Sequence, residues 1–227
     1  NQAAAIAAKG GGLKMCEHAE GMGYSNDICA YARISVAFAD VKGSDELDMP
    51  QPDFLLCCKN IGNCMIKWDE NLAHDLSIPM ILIDIPYHDE YETDDMTVDY
   101  IKGQFDHAFK QLEEITGKTF SEARFKEVCE VSQRSGRAWL KAADYWQDVP
   151  SPMNGFDLFN HMAVAVCARG KLETALALEQ LCTEMEQNIK ENKSTYRGEE
   201  KYRVLFEGIA CWPYLRATST PLKENGI

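Results

Sequence analysis

DFLLCCKNIGNCMIKWDENLAHDLSIPMILIDIPY, residues 53 to 87, reads as a strand, a cysteine-bearing loop, a helix and a second strand. Asp53 to Cys58 and Pro79 to Ile85 are short, continuous apolar runs bounded by turn residues, as expected of strands. Roughly twenty residues separate them, enough for a helical crossover, so the two strands should pair in parallel. Cys64 then falls just past the carboxyl end of the first strand. Open parallel sheets bind their ligands at that edge, so a thiol there has a reason other than packing to be present.

Upstream, Gln2 to Met22 is Ala-rich and helix-forming but is interrupted by Gly10-Gly11-Gly12. Two helices or a kinked one should result, with the glycines as a break or a point of close backbone approach. Ser25-Asn26-Asp27 offers capping side chains before Ile28 to Phe38, which places Cys29 in the first turn of a new helix. A helix N-terminus favours a thiolate.

Downstream, the acidic loop HDEYETDD, residues 88 to 95, leads into Thr97 to Thr116, where Val98, Ile101, Phe105, Phe109 and Leu112 recur near the helical period. Thr119 to Glu122 matches a capping box, followed by a face of Phe125, Val128, Ser132, Trp139 and Ala143. Pro150 and Pro152 stop that helix. Asn154 to Ala168 and Leu172 to Ile189 are two more, the second with Leu172, Leu176, Met185 and Ile189 on one stripe. Tyr202 to Phe206 reads as another strand, with IACWPYL as the loop at its carboxyl end and Pro221 to Asn225 as the helix after it. The expected class is α/β: a parallel-sheet lobe with N-terminal helices over 1–95, a helical middle over 96–200, and the start of a second α/β lobe over 201–227. The chain opens on Asn1 and ends in a helix-end pattern, so a fragment of a longer protein is expected.

The net charge of -13 argues against a nucleic-acid backbone or an anionic membrane as partner, and no basic patch offsets it. No apolar run approaches the roughly 18 residues of a membrane span, and a cytoplasmic protein is expected. Nine cysteines at irregular spacing, without a CxxC pair, do not read as a disulfide framework. Cys129, Cys167 and Cys182 fall within helical apolar patterns and are expected to pack, and Cys57 and Cys58 must point to opposite faces of their strand. Of the other four, Cys16, Cys29, Cys64 and Cys211, the candidate pair is Cys29 and Cys64, one at a helix start and one at a strand end. Their spacing alone is compatible with zinc, with an iron–sulfur cluster or with no ligand. The five histidines form no metal-binding pattern, and the three glycines lack the lysine and preceding strand of a phosphate loop. Asp84 and Tyr87, beside Pro86 at the end of the second strand, are candidate substrate-binding residues, although an aspartate there often only caps the next turn.

SNDICAYARI around Cys29, NIGNCMIKWDENLA around Cys64, IPMILIDIPY after it, SPMNGFDLFN from Ser151 and FEGIACWPYL near the end together resemble the 2-hydroxyacyl-CoA dehydratase family, and its alpha-type subunits most. The resemblance covers nearly the whole chain. It implies Rossmann-like lobes and a subunit of an oxygen-sensitive, two-subunit iron–sulfur enzyme that removes water from an (R)-2-hydroxyacyl-CoA through a ketyl radical. It also implies a 4Fe-4S cluster held by Cys29 and Cys64 with a third ligand beyond Ile227, a flavin in the complex, a second dehydratase subunit, and an ATP-dependent iron–sulfur activator protein. Some members place the second cysteine two positions earlier, where this chain has Gly62. A benzoyl-CoA reductase-like or double-cluster ATP-dependent reductase would share these lobes. A redox-inactive partner subunit, its cysteines used for packing, is the alternative of another class.

Overall fold

The continuous apolar runs Leu55–Cys58 and Met80–Ile83 give two strands, β1 and β2, which pair in parallel with Leu55 opposite Met80 and Cys58 opposite Ile83. The structure is a computed structural model that describes residues 2–47, 49–60, 62–87, 91–208 and 214–227. Contacts divide the chain into two units, Asn1–Phe120 and Ser121–Ile227.

The first unit holds helices α1 (Gln2–Ala8), α2 (Gly12–Gly21) and α3 (Ala30–Val41), strand β1, helix α4 (Asn63–Leu76), strand β2 and helix α5 (Asp95–Thr116). The strands are joined through α4, the crossover that a parallel pair requires. Side chains alternate across the pleat to two helix layers. Leu55 packs into a cluster built on Ile6, Ile34, Phe38 and Leu72, whereas Cys58, Ile81 and Ile83 join Ala108 of α5. Helix α5 therefore belongs with the sheet. Asp94 caps α5 through the Thr97 N–H at 2.6 Å.

The glycine run separates α1 from α2. Gly10 has φ 96°, and a Cβ at Gly12 would stand 3.2 Å from the Ala7 Cα, so both a break and a close approach are present.

The second unit holds α6 (Glu122–Asp144), α7 (Gly155–Cys167), α8 (Leu172–Lys190) and α9 (Leu215–Glu224). Three expectations are corrected here. Ser121, and not Thr119, caps α6, accepting from the Arg124 N–H at 3.3 Å. The buried stripe of α8 is Thr174, Ala175, Leu178, Leu181, Cys182 and Met185, while Leu172 and Leu176 are exposed. Packing against Ala138 and Ala142 of α6 selects that stripe, because small residues let the helices approach closely. Tyr202–Phe206 is not a strand. A strand needs a ladder partner, and among the described residues none pairs with it; Lys201 and Tyr202 instead donate to the Gly226 carbonyl at 2.8 and 3.0 Å. Arg203 fixes the same segment through the Trp146 and Asp148 carbonyls at 2.6 and 2.5 Å. The IACWPYL loop and Cys211 lie largely or wholly outside the described residues. Among the described residues no helix is long and apolar enough to cross a membrane.

Candidate functional site

Lys59 extends the β ladder by donating to the Ile83 carbonyl at 2.9 Å, and the chain then turns into α4. Gly62, at the N-cap of α4, has φ 100° and ψ 167°, a conformation that residues with a Cβ rarely adopt. A cysteine at 62 would be strained. The loop's thiol lies two positions on, at Cys64, which is exposed in the first turn of α4.

Cys29 is the N-cap of α3, one residue earlier than a first-turn position, with φ -42° and ψ 126° and an exposed side chain. Ser25 closes the turn before it, accepting from the Asp27 N–H at 3.2 Å and, through its carbonyl, from the Ile28 N–H at 3.1 Å. The Ser-Asn-Asp run shapes this entry turn and does not cap the helix. Arg33, one turn into α3, donates from Nε to the Ile28 carbonyl at 3.1 Å and pairs with Glu20 of α2.

Helices α3 and α4 pack against each other through Phe38 and Leu72. Val36 and Asp40 of α3, Lys42 directly after it, and Asn71, His74 and Leu76 of α4 line one cavity of about 790 Å³. The C-terminal halves of both helices thus face a common space. Cys29 and Cys64 occupy the other ends. Both are soft donors on helix N-termini whose N–H groups lack intrahelical partners, an arrangement suited to thiolate ligation of a soft metal or an iron–sulfur group. Among the described residues no group of three or more His, Cys, Asp or Glu side chains gathers to hold a metal ion.

The neighbouring cysteines behave differently. Cys57 is buried; burial first, then the Asp69 carboxylate, pushes its thiol up to about 12. It stays protonated, and only the half-buried Cys58 faces the α5 layer. Cys182 is buried and donates to the Ala138 carbonyl at 3.2 Å, and Cys16 is buried between α2 and α3. Cys129 is half-buried. Cys167, expected to pack, is exposed at the end of α7.

Asp84 follows β2 and is half-buried, with Tyr100 of α5 donating to its Oδ2 at 2.8 Å and Lys59 Nζ 3.1 Å from its Oδ1. The Tyr100 hydrogen bond and then Lys59 hold this carboxyl below the usual carboxylate range. Tyr87 is 91% exposed, so the structure does not bring it to Asp84. Lys59, Tyr100 and Arg33 were not singled out from the sequence. Lys59 had a visible signal, since it directly follows β1, but Tyr100 meets Asp84 only through the docking of α5.

The fold and site define an α/β protein with a parallel strand pair and two exposed thiols at helix starts. The profile of the 2-hydroxyglutaryl-CoA dehydratase, D-component family matches residues 2–227, and the chain belongs to this family. The chain is 59% identical over 227 residues to the (R)-phenyllactyl-CoA dehydratase alpha subunit of Clostridium sporogenes, covering all of this chain and 56% of that protein. It is 52% identical over 228 residues to the (R)-2-hydroxyisocaproyl-CoA dehydratase alpha subunit of Clostridioides difficile, with 100% and 56% covered. It is 39% identical over 300 residues to subunit alpha of the (R)-2-hydroxyglutaryl-CoA dehydratase of Acidaminococcus fermentans, with 100% and 63% covered. The chain thus spans 56% to 63% of the length of these curated relatives.

Proposed function

We propose that this chain is part of the alpha subunit of a cytoplasmic (R)-2-hydroxyacyl-CoA dehydratase, a hydro-lyase that yields the 2-enoyl-CoA. The observation that carries the reading is the exposure of Cys29 and Cys64 at two helix N-termini in a chain 59% identical to one such alpha subunit. Two thiolates here and a third ligand outside this chain would hold a 4Fe-4S cluster. When bound, the cluster supplies an iron with an open coordination position, able to act as a Lewis acid toward the thioester oxygen.

The beta proton of a 2-hydroxyacyl thioester is too weakly acidic for direct base catalysis, so elimination runs through a ketyl radical of the substrate. The electron comes from a separate ATP-dependent activator and is returned after hydroxide and proton have left. In this chain, α3 and α4 present the thiols, and their unpaired N–H groups favour the negative charge that ligand thiolates carry. Asp84, tied to Lys59 and Tyr100, orders the carboxyl edge of β1 and β2, and it and Tyr87 are the residues proposed to lie toward the substrate. A second subunit completes the enzyme.

The test is the full-length two-subunit complex, purified without oxygen and supplied with activator, ATP and reductant. Water loss from an (R)-2-hydroxyacyl-CoA, with no reduction of an aromatic acyl-CoA, is the expected outcome. Aromatic reduction without dehydration would replace this reading with a reductase. A complex with no iron in this subunit would leave it a partner without redox chemistry.

A further inference from the structure

Cys29 has an unusual support. As the N-cap it lies where the chain turns from an irregular entry into α3, and its side chain makes no capping hydrogen bond. Nothing in the thiol itself ties down the direction in which it is offered. Both carbonyls on either side of its Cα are instead held by one residue a turn further on. The Arg33 backbone N–H donates to the Cys29 carbonyl at 3.1 Å, and Arg33 Nε donates to the Ile28 carbonyl, also at 3.1 Å. Arg33 Nη1 then pairs with Glu20 of α2. The Arg33 side chain is 14% exposed and its Glu20 partner 41%, so the guanidinium lies beneath the entry turn.

We infer that Arg33 is a positioning residue for Cys29, its Glu20-held guanidinium locking the peptide that leads into Cys29 and fixing where the thiol points. This rests on the reading of Cys29 as a cluster ligand. The chemistry favours arginine specifically: a planar guanidinium holds two donors at a fixed angle, one toward a carbonyl and one toward a carboxylate, whereas an ammonium cannot reproduce that fork. The packing of α2 on α3 does not depend on this contact, because Met15, Cys16 and Ala19 meet Ile34 and Phe38 in the core. Loss of the guanidinium should therefore free the turn and leave the helices in place. A ligand held in one orientation binds its metal group without an ordering cost at the time of assembly.

The test uses the full-length complex, purified anaerobically, with Arg33→Gln, Arg33→Lys, Glu20→Gln and Cys29→Ala. Amide hydrogen exchange at Ile28, whose N–H is held by the Ser25 carbonyl in the entry turn, should rise roughly tenfold in R33Q, about the effect of one lost charge-assisted hydrogen bond. Exchange in the cores of α2 and α3 should stay as in the parent, while iron content falls and the visible spectrum bleaches faster in air. R33K should resemble R33Q, since it keeps the charge and loses the fork. E20Q should move both readouts the same way by less, and it keeps the test available should R33Q not fold. Unchanged exchange at Ile28 would overturn the inference, and so would raised exchange with parental iron content and bleaching. A Cys29→Ala complex with its full iron content would remove the ligand reading alone, since the exchange data still decide whether Arg33 holds the peptide.

Discussion

The Tyr100 hydroxyl donates to the Asp84 carboxylate at 2.8 Å and so ties α5 to the carboxyl end of β2. That one bond moves both groups: it is the leading cause that lowers the Asp84 carboxyl and raises the Tyr100 hydroxyl. Because the folded carboxyl lies below its unfolded value, the tie is present at neutral pH and weakens as pH falls through the lowered value. An NMR titration of the Asp84 side-chain carbon should give a midpoint below that of an ordinary aspartate. In Tyr100→Phe it should move upward, and an unmoved midpoint would show that Lys59 alone sets it.

The cysteines should divide sharply in reactivity. With its thiol pushed up to about 12, Cys57 has only about one part in ten thousand as thiolate at pH 8. Cys16 and Cys182 are buried and also raised by burial first. Timed iodoacetamide labelling of the cluster-free protein, followed by peptide mass spectrometry, should therefore modify the exposed Cys29, Cys64 and Cys167 well before Cys16, Cys57 and Cys182. Labelling of Cys57 ahead of Cys64 would contradict the site as described.

The second unit offers a test of register. Met185 and Leu178 are each 1% exposed, whereas Leu172 is 48% exposed. Met185→Ala should destabilise by about 2 to 5 kcal/mol, the cost of emptying a core position, and Leu172→Ala by less than about 0.5 kcal/mol. Urea unfolding monitored by the tryptophans reads both; equal losses would mean that α8 buries a different stripe.

Much of this was legible in the chain. The strand pair, its parallel sense and the crossover α4 follow from two short apolar runs with a helical segment between them, and the helix read over Asn154 to Ala168 lies within one residue of α7 at each end. The two exposed thiols were also visible, because a helix start and a strand end each expose side chains. What escaped depends on partners distant in sequence. The α8 stripe is chosen by Ala138 and Ala142 across the interface and not by where its leucines are densest. Tyr202–Phe206 has strand-forming residues, but a strand also needs a neighbour, and composition says nothing of one. The Arg33–Glu20 pair joins residues on separate helices, and no local pattern announces it.

The central claim, that Cys29 and Cys64 hold a cluster, is tested most directly by iron and acid-labile sulfide analysis of the anaerobic full-length complex carrying Cys29→Ala or Cys64→Ala. The account predicts that each variant loses the iron and sulfide of one 4Fe-4S cluster while the complex stays assembled. Full retention of iron and sulfide in both variants would contradict it.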